Sequence, residues 1–281
     1  MIALLFGLLS TSSAADLKGV DPVCYDVATQ LQADIASGKA DYNEQAQQDF
    51  LLNYFAMATT LSPLHAPVPH EAGEGSINLE MLAIPPLGCH RRLVLSGTKT
   101  EDTNKAPVAP RPRILFSFGD VGKIKPYAGF GYVPPVPVFG TRNVIIGGEA
   151  GFGVRAESGF EWGLRYHATL MKTIAEIATP FNPDDPEELD IFIGSTFGVD
   201  ALIGTELQEG LRPYLSLGFT DASTFFYIGD DAVVGNNASP YASITSSLGL
   251  QWTLDKFDFA GEFYTAPGVV YTGRLRAGLK L

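Results

Sequence analysis

Hydrophobic and polar residues alternate strictly along several long stretches of the C-terminal two thirds of the chain. Between residues 159 and 170, Phe160, Trp162, Leu164, Tyr166, Ala168 and Leu170 share one face, while Gly159, Glu161, Gly163, Arg165, His167 and Thr169 share the other. The same period of two recurs in residues 190–203, 241–254 and 269–281. Because successive side chains of a β-strand point to opposite faces, the pattern predicts strands with one apolar and one polar face.

These predicted strands are too long for an ordinary soluble sheet. They run twelve to fifteen residues, whereas strands of soluble proteins usually have about five or six. A strand that crosses a bilayer needs about 9–11 residues of alternating character, with aromatic residues at both interfaces. Trp162, Trp252, Tyr166 and Tyr271 lie near strand ends or one turn inside them, as such aromatic girdles require. The polar face suits the inside of a barrel and would disrupt the core of a sandwich.

Ten strands can be placed along the chain. They fall near residues 90–98, 112–119, 124–133, 142–156, 159–173, 190–204, 211–228, 240–254, 257–265 and 269–281. Tight turns at residues 119–123, 157–158 and 255–256 fall at one end, and longer loops at residues 134–141, 173–189 and 229–239 fall at the other. Outer-membrane barrels have this asymmetry of short periplasmic turns and long outer loops. Residues 77–83 also alternate. If they form an added crossing, the number of strands lies between ten and twelve.

Across about residues 76–281 the chain resembles the Gram-negative outer-membrane β-barrel class. The resemblance includes the last strand, where Leu275, Ala277, Leu279 and Leu281 alternate with Arg274, Arg276, Gly278 and Lys280. This strand is similar to the signal that the barrel-assembly machinery reads, with Leu275, Leu279 and Leu281 as apolar positions and Leu as the last residue instead of Phe or Trp. The resemblance implies an all-β transmembrane antiparallel up-and-down barrel in the outer membrane of a Gram-negative bacterium.

The N-terminal part of the chain has a different pattern. An apolar run at residues 2–9, followed by small residues up to Ala15, is typical of a secretory signal peptide. Residues 20–62 predict two short helices, because Asp21-Pro22 and Asp41 are good helix starts and Gly38 and Ser62-Pro63 are good ends. We therefore divide the chain into a signal peptide (1–15), a helical periplasmic or plug module with its linker (16–75) and an outer-membrane barrel (76–281). No later stretch is apolar enough for a transmembrane helix.

The two cysteines, Cys24 and Cys89, are the only ones in the chain. In an exported protein such a pair most simply forms one disulfide. We predict this bond, with two free buried thiols as the alternative. With the C-terminus on the periplasmic side, an even number of strands places residue 90 there too, so we expect the bond to hold the helical module at the periplasmic mouth of the barrel.

The formal net charge is −12, from 19 Lys and Arg against 31 Asp and Glu in 281 residues. This acidity argues against nucleic acid as a partner, because the phosphate backbone is itself negative. Residues 16–75 contribute −7 and residues 182–190 contribute −5, so the remaining charges cancel. The sequence therefore predicts an electrically balanced barrel with two acidic appendages.

The polar faces of the predicted strands carry acids and bases in nearly equal number. The charged residues expected to face the lumen are Glu149, Arg155, Glu161, Arg165, Asp200, Arg212, Asp258, Glu262, Arg274, Arg276 and Lys280. Opposite charges on neighbouring strands can pair across the interior, and a barrel of about ten strands is largely filled by its own side chains. Two alternatives stay open: a small polar conduit, and a sealed interior crossed by salt bridges.

One short motif suggests chemistry. His167-Ala168-Thr169, with Glu161 in the same strand, is similar to the His-x-Ser arrangement of lipid A deacylases, which use a His, a Ser and an acid. Thr stands where Ser would be, and catalytic triads are defined by geometry rather than by a dipeptide. We expect no catalytic residues and no enzymatic activity, and we keep a lipid-modifying hydrolase as a minor alternative.

Other polar clusters have simpler explanations. His65, His70 and His90 lie in or near a Pro-rich linker without a second ligand at helical spacing, so we expect surface histidines and no metal site. The glycines of residues 147–153 continue a strand, which indicates a barrel wall rather than a nucleotide-binding loop. The acidic loop at residues 182–188 is expected to be a solvated charge run, with a divalent-cation site as the alternative. No cofactor is expected.

Together these features predict a non-enzymatic, porin-like outer-membrane barrel that conducts small solutes or belongs to an envelope complex, with a periplasmic helical plug. The main alternative is a scaffold that recruits a periplasmic or envelope protein through the acidic helices. A soluble exported β-protein is a further alternative. The expected partners are outer-membrane lipid, lipopolysaccharide and the barrel-assembly machinery.

Overall fold

The computed structural model describes residues 22–39, 44–92, 99–101, 108–135, 137–138, 141–175, 178–180, 190–228, 232–235 and 240–281. Ten antiparallel strands form most of this part of the chain: β1 (Gly75–Ala83), β2 (Val108–Ser117), β3 (Ile124–Val133), β4 (Thr141–Arg155), β5 (Phe160–Ala175), β6 (Asp190–Thr205), β7 (Leu211–Ile228), β8 (Tyr241–Leu254), β9 (Phe257–Ala266) and β10 (Val270–Lys280). Each strand pairs with the next one along the sequence, and β10 pairs with β1. The sheet therefore closes into the up-and-down barrel that the sequence predicts, with ten strands.

The barrel has a short-turn end and a long-loop end. Residues 118–123, 156–159, 206–210 and 255–256 connect strands at the short-turn end. Gly75 and Leu281 lie there too, and the Leu281 N–H donates to the Gly75 carbonyl at 2.9 Å. Asp255 and Gly159 have positive φ angles of 48° and 83°, which such tight connections require. At the opposite, long-loop end lie the strand ends that are joined through residues 84–107, 134–140, 176–189, 229–240 and 267–269.

Two small pairings add to the barrel near the long-loop end. The strands Pro137–Val138 and Ala232–Gly235 pair with β4 and β7. Lys99–Glu101 pairs with Ala178–Pro180, which joins two of the long connections.

The outward face of the barrel is apolar. On β5, Trp162, Leu164, Tyr166 and Leu170 are each 43–57% exposed. The ten residue steps from Phe160 to Leu170 span about 25 Å along the axis of a barrel with strands tilted by about 40°, which matches the apolar band of membrane barrels at about 25 Å. This wall fits the hydrocarbon layer of a membrane.

The first strand differs from the one expected. The prediction of a strand at residues 90–98 is wrong, because Cys89–Arg92 forms a short helix, here called α3; residues 93–98 lie outside the described residues. β1 instead forms seven residue pairs with β10 and nine with β2. These pairings use both edges of β1, so the alternating residues 77–83 form the tenth strand rather than an added one.

Two longer helices precede the barrel. A 3₁₀ turn (Pro22–Cys24) leads into α1 (Tyr25–Ala36), and α2 (Glu44–Thr59) follows. None of the described helices is long and apolar enough to cross a membrane. The predicted Cys24–Cys89 disulfide is confirmed, with the two Cα atoms 5.3 Å apart. The predicted signal peptide and the acidic loop at residues 182–188 lie outside the described residues.

α2 covers the long-loop end of the barrel. The Phe55 ring packs 5.8 Å from the Phe192 ring of β6, and the Tyr241 N–H of β8 donates to Asn53 Oδ1 at 3.0 Å. The expectation that the helices share an end with the C-terminus is therefore wrong. It depended on the misplaced strand at residues 90–98: because β1 runs away from the short-turn end, Cys89 and its disulfide partner lie at the long-loop end.

Candidate functional site in the barrel interior

Residues 60–70, here called the lumen segment, run through the inside of the barrel without regular secondary structure. All of them are buried. At one end of the segment, the Thr60 hydroxyl lies 2.8 Å from the Thr196 hydroxyl on β6. Just beyond the other end, Glu71 accepts a hydrogen bond from Lys125 at 2.9 Å at the short-turn end. The chain thus enters the interior from α2, leaves it at the short-turn end and continues into β1.

Arginine side chains of the wall hold the backbone of the lumen segment. A segment with prolines and no helix or strand has no backbone partners of its own, so its buried carbonyls need other donors. Arginine supplies five N–H groups in a fixed fork. The observed donations are Arg111 to the Thr60 carbonyl, Arg113 to the Leu61 carbonyl, Arg274 to the Ser62 carbonyl, and Arg212 to the Val68 and Pro69 carbonyls. Gln251 binds a backbone donor instead: its Oε1 accepts a hydrogen bond from the Ala66 N–H at 2.9 Å.

A buried charge network lies beside His65 of the lumen segment. His65 Nε2 lies 2.9 Å from Glu149 Oε2, and Arg113 Nη1 donates to Glu149 Oε1 at 2.7 Å. Arg113 Nε also lies 3.1 Å from Glu80 Oε1, and Arg111 Nη2 lies 3.6 Å from Glu80 Oε2. The carboxylates of β4 and β1 are therefore bridged by the same arginines that hold the segment.

The remaining wall charges pair between strands. Arg165 Nε donates to Asp200 Oδ2 at 2.7 Å, and His167 Nε2 lies 3.5 Å from the same oxygen. Arg155 donates to Glu161 at 2.7 Å. Further pairs are Arg274 with Glu262, Arg276 with Asp258, and Arg212 with Glu161 at 3.9 Å. Buried charges of this kind are tolerated because each has an opposite partner.

Ion pairs surround the exit of the lumen segment at the short-turn end. Burial alone would raise the pKa of Glu71, but hydrogen bonds and charge from Lys125 and Arg155 lower it below its ordinary value. Glu74 is similar: burial would raise its pKa, and Lys280, 3.1 Å away, lowers it. Both carboxylates therefore stay ionised at neutral pH and fix the turn into β1.

Glycines of the wall face the lumen segment. A Cβ on Gly147 would lie 2.6 Å from Leu61 Cβ, and a Cβ on Gly131 would lie 3.1 Å from Leu61 Cδ1. Further along, a Cβ on Gly153 would clash with the Pro67 carbonyl oxygen, and one on Gly204 would lie 3.2 Å from Pro67 Cδ. Gly147 and Gly153, which the sequence assigns to the barrel wall, thus also make room for the segment, as do Gly131 and Gly204.

The structure places the predicted lumen residues on the inward face. Glu149, Glu161, Arg165, Asp200, Arg212, Asp258, Glu262, Arg274 and Arg276 are each at most 6% exposed. Arg155 and Lys280 are half-buried near the short-turn end. Leu275, Leu279 and Leu281 of the predicted assembly signal are exposed on the outer wall.

Sequence reasoning missed five important interior residues: Glu80, Arg111, Arg113, His65 and His70. The expectation of surface histidines is wrong for His65 and His70, which are 0% and 4% exposed; His90 is exposed. The signal for Arg111 and Arg113 was their alternation with Pro110, Pro112 and Ile114. The predicted strand at residues 112–119 started too late to include Arg111, and Arg113 was not assigned to its polar face. Glu80 alternates with Leu79 and Met81 in the same way.

The structure does not bring His167, Thr169 and Glu161 together as the predicted motif would require. The Thr169 hydroxyl accepts from the Leu61 N–H at 2.9 Å and so holds the lumen segment. Glu161 lies six residues from His167 along the same strand, about 20 Å away at strand spacing. Among the described residues, no group of three or more His, Cys, Asp or Glu side chains is placed to hold a metal ion.

No protein-family model and no curated protein sequence matches the chain. It is similar in fold to the translocator domain of the autotransporter NalP from Neisseria meningitidis, with a TM-score of 0.45 and 10% identity over 90% of this chain and 97% of that one. The toluene transporter TodX of Pseudomonas putida gives 0.36 and 11% over 82% and 75%. Ail, the attachment invasion locus protein of Yersinia pestis, gives 0.29 and 13% over 75% and 100%. The fold of this chain, a closed ten-strand antiparallel up-and-down barrel, is defined by its own strand pairing.

Proposed function

We propose that this protein is a closed outer-membrane barrel that anchors its helices and long loops at the outer surface of a Gram-negative cell, without chemistry of its own. The observation that carries the proposal is the path of the lumen segment. It joins α2 at the long-loop end to Gly75 at the short-turn end through the interior. Because membrane barrels have short turns on the periplasmic side and long loops outside, this path leads α1 and α2 to the exterior.

Closure is supported by what fills the interior. At mid-height, the charged side chains of Arg113, Glu149, Arg165, Asp200 and Glu262 are each 6% exposed or less. The lumen segment lies among them and is bonded to the wall along its length. Water-filled passage would require the segment to leave, and with it the hydrogen bonds of several buried arginines.

The exposed helix α1 is the surface that such an anchor would present. Val27, Ala28 and Leu31 pack against the disulfide. Tyr25 at the start of the helix is 44% exposed, and Val23 in the preceding 3₁₀ turn is 83% exposed. The sequence analysis considered a scaffold that recruits a periplasmic partner through its acidic helices. With α1 at the outer surface, the partner that binds this helix would be extracellular.

A small-solute conduit is the second candidate. In its favour, the inner wall is polar beyond the charged residues: the hydroxyls of Ser216 and Ser247 lie 2.7 Å apart and those of Thr220 and Thr245 lie 3.3 Å apart. Such a wall would hydrate if the lumen segment moved. Recordings in planar bilayers separate the two candidates: we expect no stable single-channel steps from the wild-type chain, and regular steps would favour the conduit.

Surface display is tested by an epitope inserted after Ser37, in the exposed connection that follows α1. Antibody is expected to bind it on intact cells. The control carries the same epitope between Asp255 and Lys256 in a tight turn, where binding should need a permeabilised outer membrane. Both insertions must retain heat-modifiable migration on gels, which reports a folded barrel. The reverse pattern of labelling would refute the proposal.

A further inference from the structure

The outer wall of the barrel is almost free of charge. Within the described strands, the outward-facing charged side chains are Arg142 on β4, Lys172 on β5 and Asp221 on β7. Arg142 and Lys172 lie near the long-loop ends of neighbouring strands, and neither has an ion-pair partner among the described residues. A cation on an apolar wall is costly unless an anion or water reaches it.

A groove lies beside these cations. It has a volume of about 430 Å³ and is lined mainly by Ile146, Leu170, Lys172, Ile193, Ser195 and Phe225. This volume is within the range of about 300–1,000 Å³ that is usual for ligand sites. The groove opens on the outer wall, because Leu170, Ile193 and Phe225 are each 39–57% exposed there.

The strand register explains why the outer wall has a groove at this position. Leu170 of β5 lies opposite Ser195 of β6, and Ser195 lies opposite Ser223 of β7. In the next row towards the long-loop end, Lys172 lies opposite Ile193, which lies opposite Phe225. Two small serines side by side thus form the bottom of the groove, here called its floor. Larger apolar side chains surround it, and Lys172 lies at its edge nearest the long-loop end.

Arg142 extends the positive edge. Val144 of β4 lies opposite Lys172, and Arg142 is two residues further towards the long-loop end. Diagonal neighbours at this offset lie about 7–8 Å apart, within reach of two long side chains that share one anion. Asp221 lies one row further towards the barrel middle than Ser223 and would repel an anion placed deeper in the groove.

We propose that this groove binds one phosphorylated glycolipid of the outer leaflet, with an acyl chain over Ser195 and Ser223 and a phosphate on Lys172 and Arg142. The choice of lipid rests on the position of the groove at the long-loop end, and so shares the orientation of the proposed function. The apolar lining matches an acyl chain, and the cation pair matches a phosphate group. Its place on the membrane-facing wall makes a lipid, rather than a dissolved anion, the occupant.

Binding of diphosphoryl lipid A to the full-length protein in detergent tests the site without depending on orientation in cells. Native mass spectrometry measures the fraction of protein that carries lipid. We expect the variant with Lys172→Gln and Arg142→Gln together to bind at least about tenfold more weakly, because it loses charge-assisted contacts to the phosphate. Ser223→Phe, which fills the floor, should weaken binding with both cations present.

The matched controls are Lys256→Gln, which removes one positive charge from a tight turn, and Lys172→Arg, which keeps the cation. Both should bind lipid A as the wild type does. Unchanged lipid A binding by the double variant would overturn the site, and so would equal binding of phosphatidylglycerol by the wild type. Failure of the surface epitope alone, with lipid A binding intact, would count against the orientation and leave the groove itself supported.

Discussion

Gly147 of β4 lies directly against Leu61 of the lumen segment, so that a Cβ on Gly147 would come within 2.6 Å of Leu61 Cβ and Cδ1. The next residue, Gly148, faces outward and has no atom within 4 Å of an added Cβ. One glycine is thus required by the segment, and its neighbour is not. This pair offers a direct test of whether the segment occupies the lumen.

Gly147→Val is expected to destabilise the barrel by about 1–3 kcal/mol, because the extra carbons must displace Leu61 or strain the wall. Gly148→Val is the matched control and should leave stability within about 0.5 kcal/mol, since it adds an apolar group to a lipid-facing surface. Urea unfolding in detergent measures both. Equal destabilisation by the two variants would contradict the packing of Leu61 against β4.

Asp200→Asn tests the pairing inside the wall. The substitution leaves the buried Arg165 guanidinium without its anion, and loss of one partner of a buried pair typically costs about 3–5 kcal/mol. We expect a large decrease in the temperature at which the protein loses its heat-modifiable gel shift. Asp255→Asn is the control, because Asn tolerates the left-handed backbone of that exposed turn. If Asp200→Asn and Asp255→Asn melt at similar temperatures, the Arg165–Asp200 pair does not stabilise the barrel as expected.

The carboxylate of Glu71 predicts a pH dependence. Its pKa is lower in the folded protein than in the unfolded chain, because Lys125 and Arg155 favour the ionised form. The stabilisation is therefore fully present above the ordinary glutamate pKa of about 4.3 and is lost as pH falls through and below that value. Since Glu71 is half-exposed, the pair should contribute less than about 1 kcal/mol.

Protease cleavage near residues 71–74 at successive pH values is the measurement. Cleavage of the wild type should increase as pH falls from 5 towards 3, and Glu71→Gln should be cleaved at the higher rate already at pH 7. Glu157→Gln, in another tight turn, serves as the control and should keep the wild-type profile. A Glu71→Gln chain as resistant as the wild type at neutral pH would argue against these ion pairs.

The strands were predictable because each has a lipid-facing and a polar face, as Trp162 and Glu161 illustrate. The path of the lumen segment was not. Its prolines, Pro63, Pro67 and Pro69, are typical of an exposed linker, and the residues that bind its carbonyls lie 51–212 positions away. Only the closed barrel brings Arg111 and Arg274 to that segment. The direction of β1 then decided the position of the helices, and one misplaced strand was enough to reverse it.

The Cys24–Cys89 disulfide closes a covalent ring that contains α1, α2, the lumen segment and β1. Gly75 is fixed at the short-turn end. The lumen segment can therefore leave the interior only if α2 and α1 follow it through the barrel to that end. The bond forbids this while it is intact. For a loop of 65 residues, chain entropy assigns it a stabilisation of about 4 kcal/mol.

We therefore expect bilayer recordings in moderate urea to differ with the state of this bond. The oxidised wild type should stay silent, whereas Cys24→Ser with Cys89→Ser should give conductance steps. Without the bond, the unfolded helices can pass through the interior to the short-turn end, and the lumen segment leaves with them. Reductant should produce the same steps in the wild type and have no further effect on the double variant, which controls for other actions of the reagent. Steps of equal frequency in the oxidised wild type would mean that the segment can leave by a route that the ring does not block.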